Sequence, residues 1–311
     1  MCIVRRMILF ALVFALLLCG CGDKGSCDVS GYAPGEAERL TVFACLDEGL
    51  CETLVQEFQE RTGIWVSLER GSAPELLARI AAEPGCCDLL LGCGVDTLLA
   101  SNFPGGDIAA LSYRTPVIVY NPRLIRQNPP VGFSDLLNSD WQGKIAFADP
   151  AGSDFSRSLL CALVCLFPEK APEDLFGALR GNLTDLLTDP QALADRISDG
   201  TYCLGMVPEE TALAAIADGA ELTVVYPQEG TFLIPDCAAI PESAVHRENA
   251  QAFVDFLLSP DAQRHARDYA NRRSVLPELA QIPEKELLYD TGEAAAMQPS
   301  LLELWNGEGM P

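Results

Sequence analysis

Between residues 40 and 100, short apolar runs alternate with stretches of helical periodicity, and this constrains the fold more than any other feature of the chain. Leu40-Thr-Val-Phe-Ala44 has strand character. Asp47 then opens a segment whose Leu50, Cys51, Leu54, Val55 and Phe58 fall on one helical face, and Gly63 supplies the residue type that ends helices. Ile64-Trp-Val-Ser-Leu68 is a second strand. Ser72-Ala-Pro-Glu75 reads as a capping box opening a second helix, with Pro74 in its first turn. Asp88-Leu-Leu-Leu91 is a third strand, and Gly94-Val-Asp96-Thr97 opens a third helix. A β-α-β-α-β run with such short connections predicts a parallel sheet covered by helices on both faces.

Further along, strands are expected at residues 115–120, 144–147, 202–207 and 222–226, with a short helix near 134–138. Helices are expected over 153–167, 172–187, around Leu193, and over 208–218. Residues 248–258 place Ala250, Phe253, Val254, Leu257 and Leu258 on one face, suited to packing on a sheet, and the chain past Pro283 reads as largely helical. Neither an internal repeat nor a coiled-coil heptad appears.

The N-terminus carries Arg5 and Arg6 and then an uncharged apolar run from Met7 to Leu18. That is the pattern of a secretory signal, and the run is shorter than the roughly 20 residues needed to span a bilayer core. It ends in Leu18-Cys19-Gly20-Cys21, which resembles the bacterial lipobox and implies a diacylated Cys21 as a two-chain membrane anchor. Residues 1–20 are then the signal, and 21–38, rich in Gly, Ser, Pro and acids, a flexible tether. Loss of Arg5 and Arg6 takes the formal charge from -23 to -25, a surface that repels nucleic acid and anionic headgroups. Ten of the 13 cysteines follow the anchor. None forms a CxxC pair, so no zinc ribbon is expected, and structural roles, paired or simply buried, are. Cys45 and Cys93 fall at the ends of strands that should be neighbours, which leaves a disulfide or a soft-metal site open there.

Four ordered stretches resemble the bacterial ABC-transporter substrate-binding proteins of the ferric-iron, phosphonate and sugar-phosphate type. They are Leu40-Thr-Val-Phe-Ala-Cys-Leu-Asp-Glu with Phe58-Gln-Glu-Arg-Thr-Gly63; Arg70-Gly-Ser-Ala-Pro-Glu leading to Leu91-Gly-Cys-Gly-Val-Asp96; Val117-Ile-Val-Tyr-Asn121 with Asp140-Trp-Gln-Gly-Lys-Ile-Ala-Phe-Ala-Asp-Pro150; and Val225-Tyr-Pro-Gln-Glu-Gly-Thr231 with Ala252-Phe-Val-Asp-Phe-Leu-Leu-Ser-Pro260. The resemblance implies an α/β, two-lobed type II periplasmic-binding-protein fold, each lobe a mainly parallel sheet flanked by helices. Two strands would cross between the lobes, near 112–115 and 228–233. Lobe one would comprise residues 39–112 and 232–311, and lobe two 113–231. Between Asp96 and Val117 the chain is shorter than is usual for the family, so part of the usual cleft wall is not expected.

Ligands of open α/β sheets bind beyond the carboxyl ends of the strands, where helix starts present unpaired N–H groups. Ser72, Asp96, Arg114, Ser153 and Asp154 are the expected contacts for a small anion such as a phosphonate or phosphoryl group. Glu210, Tyr226 and Glu229 are the expected contacts for an amine or hydroxyls. Each of Ser72, Asp96 and Ser153 also suits a purely structural cap. No metal and no cofactor is expected, since the chain lacks the adjacent tyrosines of the family's ferric binders and its two histidines have no suitable companions. The implied role is capture of a solute and delivery to an ABC permease and its ATPase, by a monomer held by lipid on the outer face of the cytoplasmic membrane. The alternatives are signalling to a membrane receptor kinase, or a ferric-iron or polyamine ligand. No covalent chemistry is implied.

Overall fold

The computed structural model describes residues 35–307. The signal, Cys21 and most of the tether lie outside the described residues. The compact body starts at Ala37.

Lobe one begins as the alternation predicts, with β1 (Arg39–Ala44), α1 (Glu48–Thr62), β2 (Trp65–Arg70), α2 (Ala73–Ala82), β3 (Leu89–Gly94) and α3 (Val95–Ala100). Asp47 caps α1 by accepting the Leu50 N–H at 3.1 Å, and Gly63 ends it at φ 74°. Strand alternation distributes the core: Leu40, Val42 and Leu89 face α1, whereas Phe43 and Leu90 face α2. Gly92, at φ +78°, lets β3 pass Leu46, whose Cδ2 would lie 2.5 Å from any Cβ there.

Next come β4 (Gly106–Arg114) and, after the single residue Thr115, β5 (Pro116–Tyr120) in a second sheet. Lobe two adds β6 (Ile145–Ala148), α4 (Asp154–Leu166), α5 (Pro172–Asn182), β7 (Leu183–Leu187), α6 (Pro190–Ser198), β8 (Leu204–Pro208), α7 (Glu209–Ala217) and β9 (Thr223–Val225). The chain returns through β10 (Thr231–Phe232) and β11 (Ile234–Pro241). It ends with α8 (Arg247–Leu257), α9 (Pro260–Ala270), β12 (Arg273–Ser274), β13 (Glu286–Leu287) and α10 (Thr291–Asn306).

The sheets have the orders β12-β4-β11-β3-β1-β2 and β7-β6-β8-β5-β9. Each is parallel in the half built by β-α-β units and antiparallel where the crossing strands join it. The reason is connectivity: a strand arriving directly from the other lobe has no crossover helix to turn it parallel. The two crossings run side by side, with Ile234 opposite Arg114 and Thr231 Oγ1 donating to Pro116 O at 3.2 Å.

Two expectations need correction. Residues 183–187, read as the end of a helix, form β7, because Leu183, Leu186 and Leu187 satisfy a helical spacing but pair with β6. Ser72 is the N-cap residue of α2 but makes no side-chain capping bond, so the capping box is absent. The last helix, α10, reaches both lobes: its Ala294, Leu301 and Trp305 are buried with Phe147 and Phe176 of lobe two, while Gln298 Nε2 donates to Asp96 of α3 at 3.0 Å.

Far from the crossings, Asp88 straps the base of lobe one. Its buried carboxylate accepts the N–H groups of Thr41, Val245 and His246, each at 2.8 Å, and the His246 ring Nδ1 lies 2.9 Å away.

Candidate functional site

The carboxyl end of β3 meets the start of α4 between the lobes, and the start of α7 lies against Thr115 of the first crossing. This brings together Asp96, Arg114 and Asp154, and beside them a second group of Glu209, Glu210, Asp236, Arg272 and Arg273.

Asp154, the first residue of α4, is 9 % exposed. Its Oδ2 accepts from Gly94 N at 2.8 Å and from Arg114 Nη2 at 2.9 Å, so lobe two's carboxylate is held by lobe one and the first crossing strand. Burial alone raises its pKa, but the Arg114 charge and these hydrogen bonds outweigh it and hold the carboxyl below the usual range. A Cβ at Gly94 would stand 2.7 Å from Arg114 Nη2 and 3.0 Å from Asp96 Oδ1, so a larger residue there would displace the guanidinium. Four residues along α4, Ser158 Oγ donates to Asp96 Oδ1 at 2.9 Å, a second tie between the lobes. Asp96 Oδ2 accepts from Tyr289 OH at 2.8 Å and Gln298 Nε2 at 3.0 Å. Burial pushes the Asp96 pKa up despite those bonds.

The expected ligand residues therefore divide. Arg114 and Asp154 are spent on each other, although Arg114 Nε and Thr115 Oγ1 remain buried without a partner. Asp96 has both oxygens engaged by protein groups. Ser153 is a cap, accepting from Ser156 N at 3.2 Å. Ser72 is exposed at the start of α2 with its hydroxyl uncommitted. Glu229, expected to receive a ligand, instead accepts from Phe133 N at 3.1 Å and from Ser134 N and Oγ at 2.9 and 2.6 Å, capping the single turn Phe133–Leu137. Its sequence neighbours gave no sign of this, because the turn it caps lies almost a hundred residues away. Glu210 lies 3.2 Å from Arg272 Nη1, and burial raises its pKa against that charge. Tyr226 is 49 % exposed and its hydroxyl is hydrogen-bonded to Glu209. Burial, and then that carboxylate, push its pKa up to about 12.

Sequence reasoning missed four residues. Asp236, fully buried, accepts from Ser112 N at 2.9 Å, Ser112 Oγ at 2.8 Å and Arg272 Nη1 at 2.8 Å. Arg273 holds Glu209 with both arms, Nε at 2.6 Å and Nη2 at 2.9 Å. Nothing local marks Asp236, its partner Arg272, or Arg273. The fourth is Arg157, which reads as an ordinary solvated helix residue. Here it is half-buried at the start of α4, with Nε donating to Pro150 O at 2.6 Å and Nη2 to Ala151 O at 2.8 Å. Among the described residues it makes no ion pair, and Nη1 keeps its donors. Burial lowers its pKa and the nearby Asp154, Cys93 and Asp149 oppose that, but an arginine so placed stays charged.

The nine described cysteines are free thiols. Cys237 lies opposite Cys93 in the β3–β11 register, with its Sγ 3.2 Å from Cys93 O. Burial pushes both thiols up, and Cys45 with them. No group of three or more His, Cys, Asp or Glu among the described residues is arranged to hold a metal ion.

Two α/β lobes, two crossing strands and charged groups converging between the lobes define a hinged solute-binding protein of the periplasmic type. The chain belongs to the bacterial extracellular solute-binding proteins, whose family model matches residues 99–293. It is similar to iron uptake protein A1 of Synechocystis sp., with 24% identity over 93% of this chain and 89% of that protein. In fold it is similar to the periplasmic binding protein AfuA from Actinobacillus pleuropneumoniae with exogenous fructose-6-phosphate bound (TM-score 0.74, 20% identity, 87% of this chain and 98% of that one). It is similar also to iron-bound HitA from Pseudomonas aeruginosa (TM-score 0.72, 19% identity, 88% and 99%). Its class is that of the capture components of ABC importers.

Proposed function

We propose that this protein binds a small anionic solute, of the phosphonate or phosphorylated class, between its lobes and delivers it to a membrane permease. The observation that carries the reading is Arg157, a half-buried guanidinium held by carbonyls rather than by a carboxylate, with donors left over. Arg114 and Ser72 extend the donor set, the first through an unpartnered Nε, the second through a hydroxyl from the other lobe. Iron is the weaker reading on the chemistry of the donors: the hydroxyls of Tyr202, Tyr226 and Tyr289 are each spent on a carboxylate. Binding needs no covalent step, and the protein acts as a monomer tethered through lipid on Cys21. The lipobox-like Leu18-Cys19-Gly20-Cys21 supports that tether.

The test is a thermal-shift titration of the detergent-extracted protein with inorganic phosphate, methylphosphonate, spermidine and ferric citrate, since a ligand specific to the folded form raises the midpoint. Phosphate or methylphosphonate raises the midpoint, and Arg157→Gln abolishes the rise. A response to spermidine or ferric citrate alone keeps the capture role and refutes the anionic solute.

A further inference from the structure

Binding proteins of this architecture close by rotation about the strands that join their lobes. In the first crossing that pivot is one residue, Thr115, between the last residue of β4 and the first of β5. Two consecutive arginines and two consecutive glutamates face each other across it. Arg273 belongs to β12, which pairs with β4 through Tyr113, on the lobe-one side of the pivot. Glu209 opens α7 on the lobe-two side, and its N–H donates to Thr115 O at 2.8 Å. The Arg273 guanidinium grips the Glu209 carboxylate with two bonds, at 2.6 and 2.9 Å, and the Tyr226 hydroxyl bonds the same carboxylate. One residue earlier, Arg272 Nη1 lies 3.2 Å from Glu210 while its 2.8 Å contact to Asp236 fixes it to the second crossing strand. All four charged side chains are between 8% and 12% exposed.

We infer that this double Arg–Glu clasp is a built-in device that sets the resting angle between the lobes. Rotation at Thr115 moves Glu209 and Glu210 with α7, and leaves Arg272 and Arg273 with lobe one, so the lobes cannot part at this edge without breaking a bidentate bond. A planar guanidinium fork matched to a carboxylate tolerates little angular change, which makes it a geometric stop rather than a diffuse attraction. Because the charges are largely buried, opening the clasp exposes or orphans them, and the ligand-free protein stays near the angle that the clasp sets. The device works whatever the charge of the solute, and stands or falls apart from the anion reading.

The test is a distance measurement between lobes without ligand. Ketone-bearing residues placed at exposed Glu52 in α1 and Glu173 in α5 take nitroxide labels that leave the thiols untouched, and double electron–electron resonance reads their separation. The wild-type protein gives one narrow distribution. Glu209→Gln with Glu210→Gln broadens it and adds a population at a different separation. Arg273→Lys, which keeps the charge and loses the fork, gives an intermediate broadening and covers the case in which the double variant fails to fold. Asp88→Ala, which cuts the strap at the far end of lobe one, lowers stability and leaves the distribution as in wild type. An unchanged distribution in both clasp variants, or the same broadening in Asp88→Ala, overturns the inference.

Discussion

Asp236→Ala is the substitution whose cost the structure fixes best. Asp236 is completely buried on the second crossing strand and answers three donors: Ser112 N–H, Ser112 Oγ and Arg272 Nη1. Removing the carboxylate orphans a buried backbone N–H and leaves Arg272 with Glu210 alone, at 3.2 Å. Breaking a buried ion pair by deleting one partner costs about 3–5 kcal/mol, most of it the penalty on the charge left behind. Arg272 keeps Glu210, which argues for the lower half of that range, and the orphaned N–H adds back about 1 kcal/mol or more. The expected loss is therefore about 4 kcal/mol. For a body of this size each kcal/mol shifts Tm by about 2–4 °C, so the midpoint falls by about 8–16 °C. Urea unfolding followed by circular dichroism measures it. The reasoning makes a second demand: the cost belongs to the unpaired charge and not to the missing contact. Asp236→Asn, Arg272→Met and Glu210→Gln together remove Arg272 and both of its carboxylate partners, and the triple variant must be less destabilised than Asp236→Ala alone. A loss below about 1 kcal/mol for Asp236→Ala, or a triple variant worse than the single, would refute the argument.

Stability should also depend on pH in a defined direction. Burial raises the folded-state pKa of Asp96 and Glu210, so the folded form binds those protons more tightly and stability is gained as pH falls from neutral through those raised values toward the unfolded value near ~4. Asp154 and Glu229 are depressed, against the effect of burial, by Arg114 and by hydrogen bonds from Ser134 respectively; their contribution is present above ~4 and lost below it. The urea midpoint should peak at mildly acidic pH, and Asp96→Asn should flatten the limb between that peak and pH ~8 relative to wild type; equal slopes would count against the Asp96 assignment. Finally, Cys21→Ser should move the protein from the detergent-rich to the aqueous phase on Triton X-114 partition. A serine variant that stays with the detergent would rule out lipid on Cys21.

Much of lobe one was legible because its signals are local. The face Leu50, Cys51, Leu54, Val55, Phe58 is a property of fifteen consecutive residues, and Asp47 and Gly63 mark its ends with their own side chain and backbone freedom. The β-α-β-α-β run then admits few arrangements, and the ordered resemblance to a known family narrowed them to one. Segment 183–187 was misread because its leucines satisfy two periodicities, and only β6 alongside it chose between them. The candidate site was legible by region but not by role. Ser72, Asp96, Ser153 and Asp154 stand at helix starts, as their positions imply, yet whether each is free for a solute depends on what the fold brings opposite.

What the sequence determined by itself is what a turn or two encodes: most of the elements, the ends of α1 at Asp47 and Gly63, and the apolar faces. What only the tertiary structure decided is how each charge is spent. Asp154 and Arg114 are 40 residues apart, Asp236 and Ser112 are 124, and Asp96 and Gln298 are 202. Helical and strand periodicity record which way a side chain points relative to its own backbone. Electrostatic pairing acts through space between segments the chain order keeps apart, so no local pattern could show that Arg114 was already neutralised while Arg157 was not.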